Sequence, residues 1–245
     1  MFRTHCFISA TVLLLTFPVF SQTGLEKDVI KTSAGNLEIT FIGHGSLMMK
    51  FAGKTIYVDP DGQLADFRQF PQADLILITH HHGDHFDLKT IELIRTEKTL
   101  VLLTKICAEQ LEGGIIMKNG DRQTVLGITV EAVPAYNILH KRPDGKVFHP
   151  KGEGNGYILT FGSTRVYVAG DTENTPEMKA LKKIDVAFLP MNLPYTMTPT
   201  MVADAANAFR PKILYPYHYG ETNVSALIDL MKKSKDIEVR IRRMK

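Results

Sequence analysis

Short apolar runs, separated by turn-forming residues, recur along the chain. Residues 37–41 and 47–51 alternate or run apolar, and Gly43-His44-Gly45 supplies a turn between them. Residues 54–58 predict a third strand, closed by Asp59-Pro60-Asp61-Gly62. Residues 75–79 are continuously apolar, as in a strand buried on both faces. Residues 80–87 are then a loop at its C-terminal end, and Asp87 can cap a helix over 88–97. Further strands are predicted at 127–133, 156–161, 165–169, 186–190 and 213–217. Thr198-Pro199 opens an alanine-rich helix to Phe209, with proline at the favoured first helical position. The pattern is α/β, with polar residues repeatedly at strand ends, where ligands bind in open α/β sheets. The glycine-rich stretch 151–156 lacks the spacing of a phosphate loop and reads as a mobile loop beside such a site. Near the C-terminus Ile237, Val239 and Ile241 alternate with charged residues, as in an edge strand with a solvated basic outer face.

Composition adds boundaries to this picture. A chain of 245 residues, 44% of them hydrophobic, can bury one sizeable core. Residues 1–21 read as a secretory signal peptide. Met1-Phe2-Arg3 is a short basic start, residues 6–20 are largely apolar, and Val19 and Ser21 suit a cleavage before Gln22. The apolar stretch is short for a span, which needs about 20 residues, and an uncleaved N-terminal anchor is the alternative. Residues 22–245 then form a single domain, exported to the periplasm or secreted. Cys107 is the one cysteine left in that mature chain and sits in an apolar helical context, so it reads as a packing residue. A formal charge of +3 gives no case for a nucleic-acid partner.

The chemistry concentrates in Thr79-His80-His81-His82-Gly83-Asp84-His85, directly after the buried strand. Imidazole and carboxylate are natural ligands for zinc and similar divalent ions. His80 and His82 are two apart, so both rings can face one way in an extended loop. Gly83 lets the backbone turn and present Asp84 and His85 as a second set. This spacing suits two metals side by side. His81, between the pair, should point away. Tyr195 lies between a strand end and a helix N-terminus, a place where free N–H groups favour an anion, and it could donate a hydrogen bond or a proton there.

The segment Thr79–His85 resembles the metallo-β-lactamase superfamily, whose T-H-x-H-x-D-H hallmark it carries letter for letter. Other blocks follow in the family's order: Asp59 closing Thr55-Ile56-Tyr57-Val58, Asp171 in Val168-Ala169-Gly170-Asp171-Thr172, and His218 ending Leu214-Tyr215-Pro216-Tyr217. The resemblance covers nearly all of the mature chain. It implies an αββα sandwich with the metals at one edge of the two sheets. His80 and His82 would bind the first metal, Asp84, His85 and His218 the second, and Asp171 would bridge. Asp59 would orient the loop. In the branch that includes ascorbate-phosphate lactonase and related metal-dependent hydrolases, a third histidine for the first metal follows a Pro-Ala-aromatic strand end. Here Pro134-Ala135-Tyr136 is followed by Asn137, a poor zinc ligand. His149 is the favoured substitute, ahead of His140. If neither binds, the first site is weakened. Branch members carry a Gly-His turn near the metals, which makes His44 either a hydrogen-bonding partner of the site or a plain turn histidine.

The implied activity is hydrolysis of a small-molecule ester, lactone or phosphodiester by a hydroxide held between two zinc ions, with Asp84 or Asp171 positioning it or taking the proton. Manganese or iron fits the same ligands. Three rivals stand beside this expectation. They are a non-catalytic metal-binding protein that keeps the fold, suggested by Asn137, a nuclease, and a true β-lactamase, whose usual Gly-His-Thr-like third block is absent.

Overall fold

The computed structural model describes residues 24–245. The expected signal peptide, residues 1–21, lies outside them, as do residues 22 and 23. Two seven-stranded mixed sheets form the centre. The first comprises β1 (Lys27–Thr32), β2 (Gly35–Gly43), β3 (Ser46–Phe51), β4 (Lys54–Val58), β5 (Leu75–Leu77), β6 (Leu100–Leu103) and β7 (Ile115–Ile116), side by side in chain order. The second contains β8 (Arg122–Val125), β9 (Ile128–Ala135), β10 (Gly154–Phe161), β11 (Thr164–Val168), β12 (Val186–Pro190), β13 (Ile213–Tyr217) and β14 (Glu238–Val239). Each sheet begins with antiparallel hairpins and continues with parallel strands.

The inner faces bury one shared core, which includes Phe41, Met49, Leu77, Leu159, Phe188 and Tyr215. Helices cover the outer faces. α1 (Leu88–Ile94) and α2 (Lys105–Ala108) pack on the first sheet around Ile76, Ile91 and Cys107. α3 (Pro176–Lys179), α4 (Pro199–Phe209) and α5 (Val224–Met231) pack on the second around Ala187, Val202 and Leu227. The result is the αββα layering expected from the sequence. Cys107 is fully buried, as expected of a packing residue.

Local chemistry explains the element ends. Asp87 caps α1 by accepting from Lys89 N, and Thr198 caps α4 by accepting from Met201 N, each worth about 1 kcal/mol. Three expectations change. The helix predicted to residue 97 stops at Ile94. The glycine-rich 151–156 stretch is a loop only in part: Gly154 opens β10 and pairs with Ala135, while Asn155 faces Pro134. Glycine is needed there, since a Cβ at Gly156 would come within 2.8 Å of the Ala169 carbonyl. The basic C-terminus is not simply a solvated face. Arg240 and Arg242 turn inward to Asp28 of β1, and Tyr215 of β13 donates to the same carboxylate.

The two sheets are also joined at one edge, where the histidine-bearing loops lie. Asn155 N donates to Thr79 O at 2.9 Å, and Tyr157 Oη donates to Ile78 O at 2.9 Å. His218 N donates to His44 O at 3.0 Å, fastening the end of β13 to the β2–β3 turn. No helix among the described residues is long and apolar enough to cross a membrane.

Candidate metal centre

Three strand ends and three loops meet at this edge. The loop after β5 carries His80, His82, Asp84 and His85, and a turn in which His85 N and Phe86 N both donate to His82 O reverses it. The loop before β10 carries His149, the end of β11 leads to Asp171, and the end of β13 leads to His218. His44, Asp59 and His218 are non-glycine residues in the left-handed region, with φ of 48°, 45° and 46°. Such conformations cost about 1–3 kcal/mol each and are kept where the surroundings impose them.

The imidazoles fall into two sets on either side of Asp171. His80, His82 and His149 bring ring nitrogens within 4.8 Å of one another. His80 Nε2 lies 3.1 Å from His82 Nδ1, and His149 Nε2 lies 3.2 Å from Asp171 Oδ2. The second set is His44, Asp84, His85 and His218. Asp171 Oδ1 is 3.5 Å from both His85 Nε2 and His218 Nε2, and Asp84 Oδ2 is 3.7 and 3.5 Å from the same two nitrogens. His44 Nε2 meets Asp84 Oδ2 at 3.1 Å, and its ring lies 3.6 Å from that of His218, centre to centre.

The residues fit divalent cations. His85 Nε2, His218 Nε2 and Asp171 Oδ1 are buried and make no hydrogen bond. Each such atom costs roughly 1–3 kcal/mol unless something occupies its lone pair. All three converge, and the donor set of imidazole and carboxylate is the one that zinc-like ions prefer. Burial, with His149 and His81 nearby, holds His82 down to about 4, so its ring keeps a free lone pair at neutral pH. Burial likewise lowers His80. Burial opposes charge on His85 too, but Asp171 and Asp59 outweigh it and raise that ring to about 10. Burial would raise Asp171, yet His218, His85 and His149 hold it well below the usual carboxylate range.

Supporting residues set the ring orientations. Asp59 is fully buried and accepts from Thr79 N at 2.8 Å, Thr79 Oγ1 at 2.6 Å and His85 Nδ1 at 2.8 Å. That leaves His85 Nε2 facing the cluster. Asn137 corrects the sequence reading. It does not stand where the site fails. Its Nδ2 donates to Tyr195 O at 2.8 Å and Glu173 Oε1 at 3.2 Å, which fixes the amide orientation. Its Oδ1 then accepts from His149 Nδ1 at 2.7 Å and turns Nε2 toward Asp171. His140 lies outside both sets and faces Glu173 Oε1 at 3.0 Å. His81 is half-buried, its ring 4.9 Å from that of His82, and it lines a small recess with His80 and His149.

A cleft of about 550 Å³ opens over the second set, bounded by His44, Asp84, Arg142, Phe148, Asn192 and Tyr195. Tyr195 is on this wall, edge-on to Phe148 at 5.0 Å. The backbone N–H groups near it are not aimed into the cleft as expected. Those of Tyr195 and Thr196 both donate to Asn192 O, and Thr198 Oγ1 takes Met201 N in the first turn of α4. Glu173 and Arg142 were not singled out in the sequence. Only the position of Glu173, two after Asp171, hinted at it.

Comparisons with known proteins give the chain's family. The profile of the Beta-lactamase superfamily domain matches residues 38–218. The chain belongs to the metallo-β-lactamase superfamily. A UPF0173 metal-dependent hydrolase from Methanopyrus kandleri is 30% identical over 195 residues, 75% of this chain and 84% of the relative. One from Geobacillus sp. is 32% identical over 206 residues, 78% and 88% of the two chains. A crystal structure from Parabacteroides distasonis, of a protein designated a metal-dependent hydrolase, is 50% identical with a TM-score of 0.86, covering 90% of this chain and all of that one. This member of the superfamily is a metal-dependent hydrolase, with a histidine/aspartate cluster suited to the metal.

Proposed function

We propose that this hydrolase cleaves small-molecule esters, lactones or phosphodiesters at a two-metal centre. His80, His82 and His149 would hold one cation, Asp84, His85 and His218 the other, and Asp171 both. The observation that carries this is the place of Asp171, one carboxylate oxygen toward each imidazole set. Zinc is the default ion for an exported histidine-rich site, and manganese or iron suits the same donors. When bound, the pair supplies Lewis acidity and lowers the pKa of water at the site.

The chain's own residues do the rest. Asp84 is the half-exposed carboxylate at the floor of the cleft, steadied by His44, and is placed to take a proton from attacking water. Tyr195 also lines the cleft, where its hydroxyl would donate to a substrate oxygen. Arg142 lies over the Phe148 ring and has no carboxylate partner among the described residues, which favours substrates with an anionic group. The cleft volume suits a small molecule. Secretion through the N-terminal signal belongs to the same reading, and places the substrate outside the cytoplasm.

The test is a panel of chromogenic esters, lactones and phosphodiesters, neutral and anionic, given to the chain from Gln22 onward with added zinc or manganese. Turnover of at least one class, strongest for anionic members and abolished by Asp171→Ala, is expected. No turnover by protein carrying two ions, or unchanged turnover in the variant, would refute the assignment.

A further inference from the structure

The structure assigns Glu173 a positioning role: through Asn137 it sets the orientation and tautomer of His149. The inference rests on the metal-centre reading above and names a residue that reading does not use. Glu173 is fully buried, with no lysine or arginine paired to it among the described residues. Its Oε2 accepts from Ile138 N at 2.8 Å and Leu139 N at 2.7 Å. Its Oε1 accepts from His140 N at 2.6 Å and Asn137 Nδ2 at 3.2 Å. The His140 ring also stands against it, with Nδ1 3.0 Å from Oε1. The four hydrogen-bonded partners are all donors, so the carboxylate, and not an amide, suits the position. Asn137 in turn binds His149 twice, by N–H to His149 O at 2.8 Å and by Oδ1 to His149 Nδ1.

The physical consequence is directional. A carboxylate accepting from one end of an amide polarises it and strengthens the oxygen at the other end as an acceptor. That oxygen holds the proton on His149 Nδ1 and makes Nε2 the free nitrogen. Partners of this kind fix ring orientation, and their loss costs roughly 10–100-fold in metal affinity. Asp171 and Glu173 are two residues apart on one loop. That loop therefore supplies a carboxylate to the cluster directly and orients a second member of it indirectly.

Zinc titration against a competing chelator tests this, on Glu173→Gln, Asn137→Ala, His149→Ala and His140→Ala, with the apo fold checked by thermal unfolding. In Glu173→Gln and Asn137→Ala, the zinc that His149→Ala loses should bind 10–100-fold more weakly, and the other zinc as in the parent protein. His140→Ala should bind both as the parent does. Imidazole nitrogen NMR should show His149 protonated on Nδ1 in the parent and no longer held so in the two relay variants. If Glu173→Gln does not fold, Asn137→Ala decides. Equal weakening of both zincs, or a normal first zinc in Asn137→Ala, overturns the relay and leaves Glu173 a loop anchor. If His149→Ala keeps both zincs, the metal-centre reading itself fails.

Discussion

Asp59 shows at single-residue scale how an uncharged-looking detail controls a ligand. It binds no neighbour in the cluster except through His85 Nδ1, and burial raises its pKa against the pull of His85 and Thr79. Asp59→Asn would place an amide N–H or a weaker acceptor against that nitrogen. With the N–H facing His85, the ring proton moves to Nε2, the atom that faces Asp171. A fall of roughly 10–100-fold in affinity for one of two zincs is expected, read by calorimetric titration. Equal affinity in Asp59→Asn would show that His85 needs no such partner. The loop residues His80, His82, Asp84 and His85 were legible because their spacing is local. The supporting part of Asn137 was not legible because its partners stand 12, 36 and 58 positions away. No pattern in a window of sequence reports those separations.

At the scale of elements, the β2–β3 turn fits tightly against the cluster. A Cβ on Gly45 would lie 2.7 Å from His85 Cε1, and that ring is fully buried between Asp59 and the cluster. Gly45→Ala must displace either the turn or the ring. We expect lower zinc affinity together with a lower Tm, measured on the same preparation, and an unchanged site would mean that the turn gives way freely. The central strands were readable because both faces are buried and their apolar runs are unbroken. β7 and β8 were not. Ile115 and Ile116 are exposed at a sheet edge, and Arg122, Gln123 and Thr124 are exposed and polar, so neither carries a periodic signal. β14 keeps only Glu238–Val239 of the predicted alternation. Arg240 N still donates to Leu214 O of β13 at 2.9 Å, while the Arg240 and Arg242 side chains turn to Asp28.

Across the whole molecule, Asp28 is a counterpart to the metal edge. From β1 it takes Arg242 through two contacts of 2.8 Å and Arg240 at 3.2 Å, and it accepts from Tyr215 of the other sheet. Charge-assisted bonds of this kind, partly buried, make Asp28→Asn destabilising by about 2 kcal/mol. Burial works to raise this carboxyl, but Tyr215 and Arg242 hold it below 3.8. Its contribution is therefore complete above about pH 3.8 and lost as pH falls through its lower folded value. Denaturant unfolding of the metal-free protein should show a full difference between parent and variant at pH 6 that closes in strong acid. A constant difference at every pH would assign the effect to packing.

The donor atoms and the layered fold could be read from the chain because they depend on residue type and short-range pattern. Imidazoles two apart after a buried strand can turn two rings to one point, and unbroken apolar runs must be covered on both sides. Which nitrogen of each ring faces the cluster, and that His149 completes one set while His140 serves Glu173, depended on the tertiary structure. A histidine offers two equivalent nitrogens until a distant acceptor claims one. Only the closure of the two sheets brings Asp59 to His85 and Asn137 to His149.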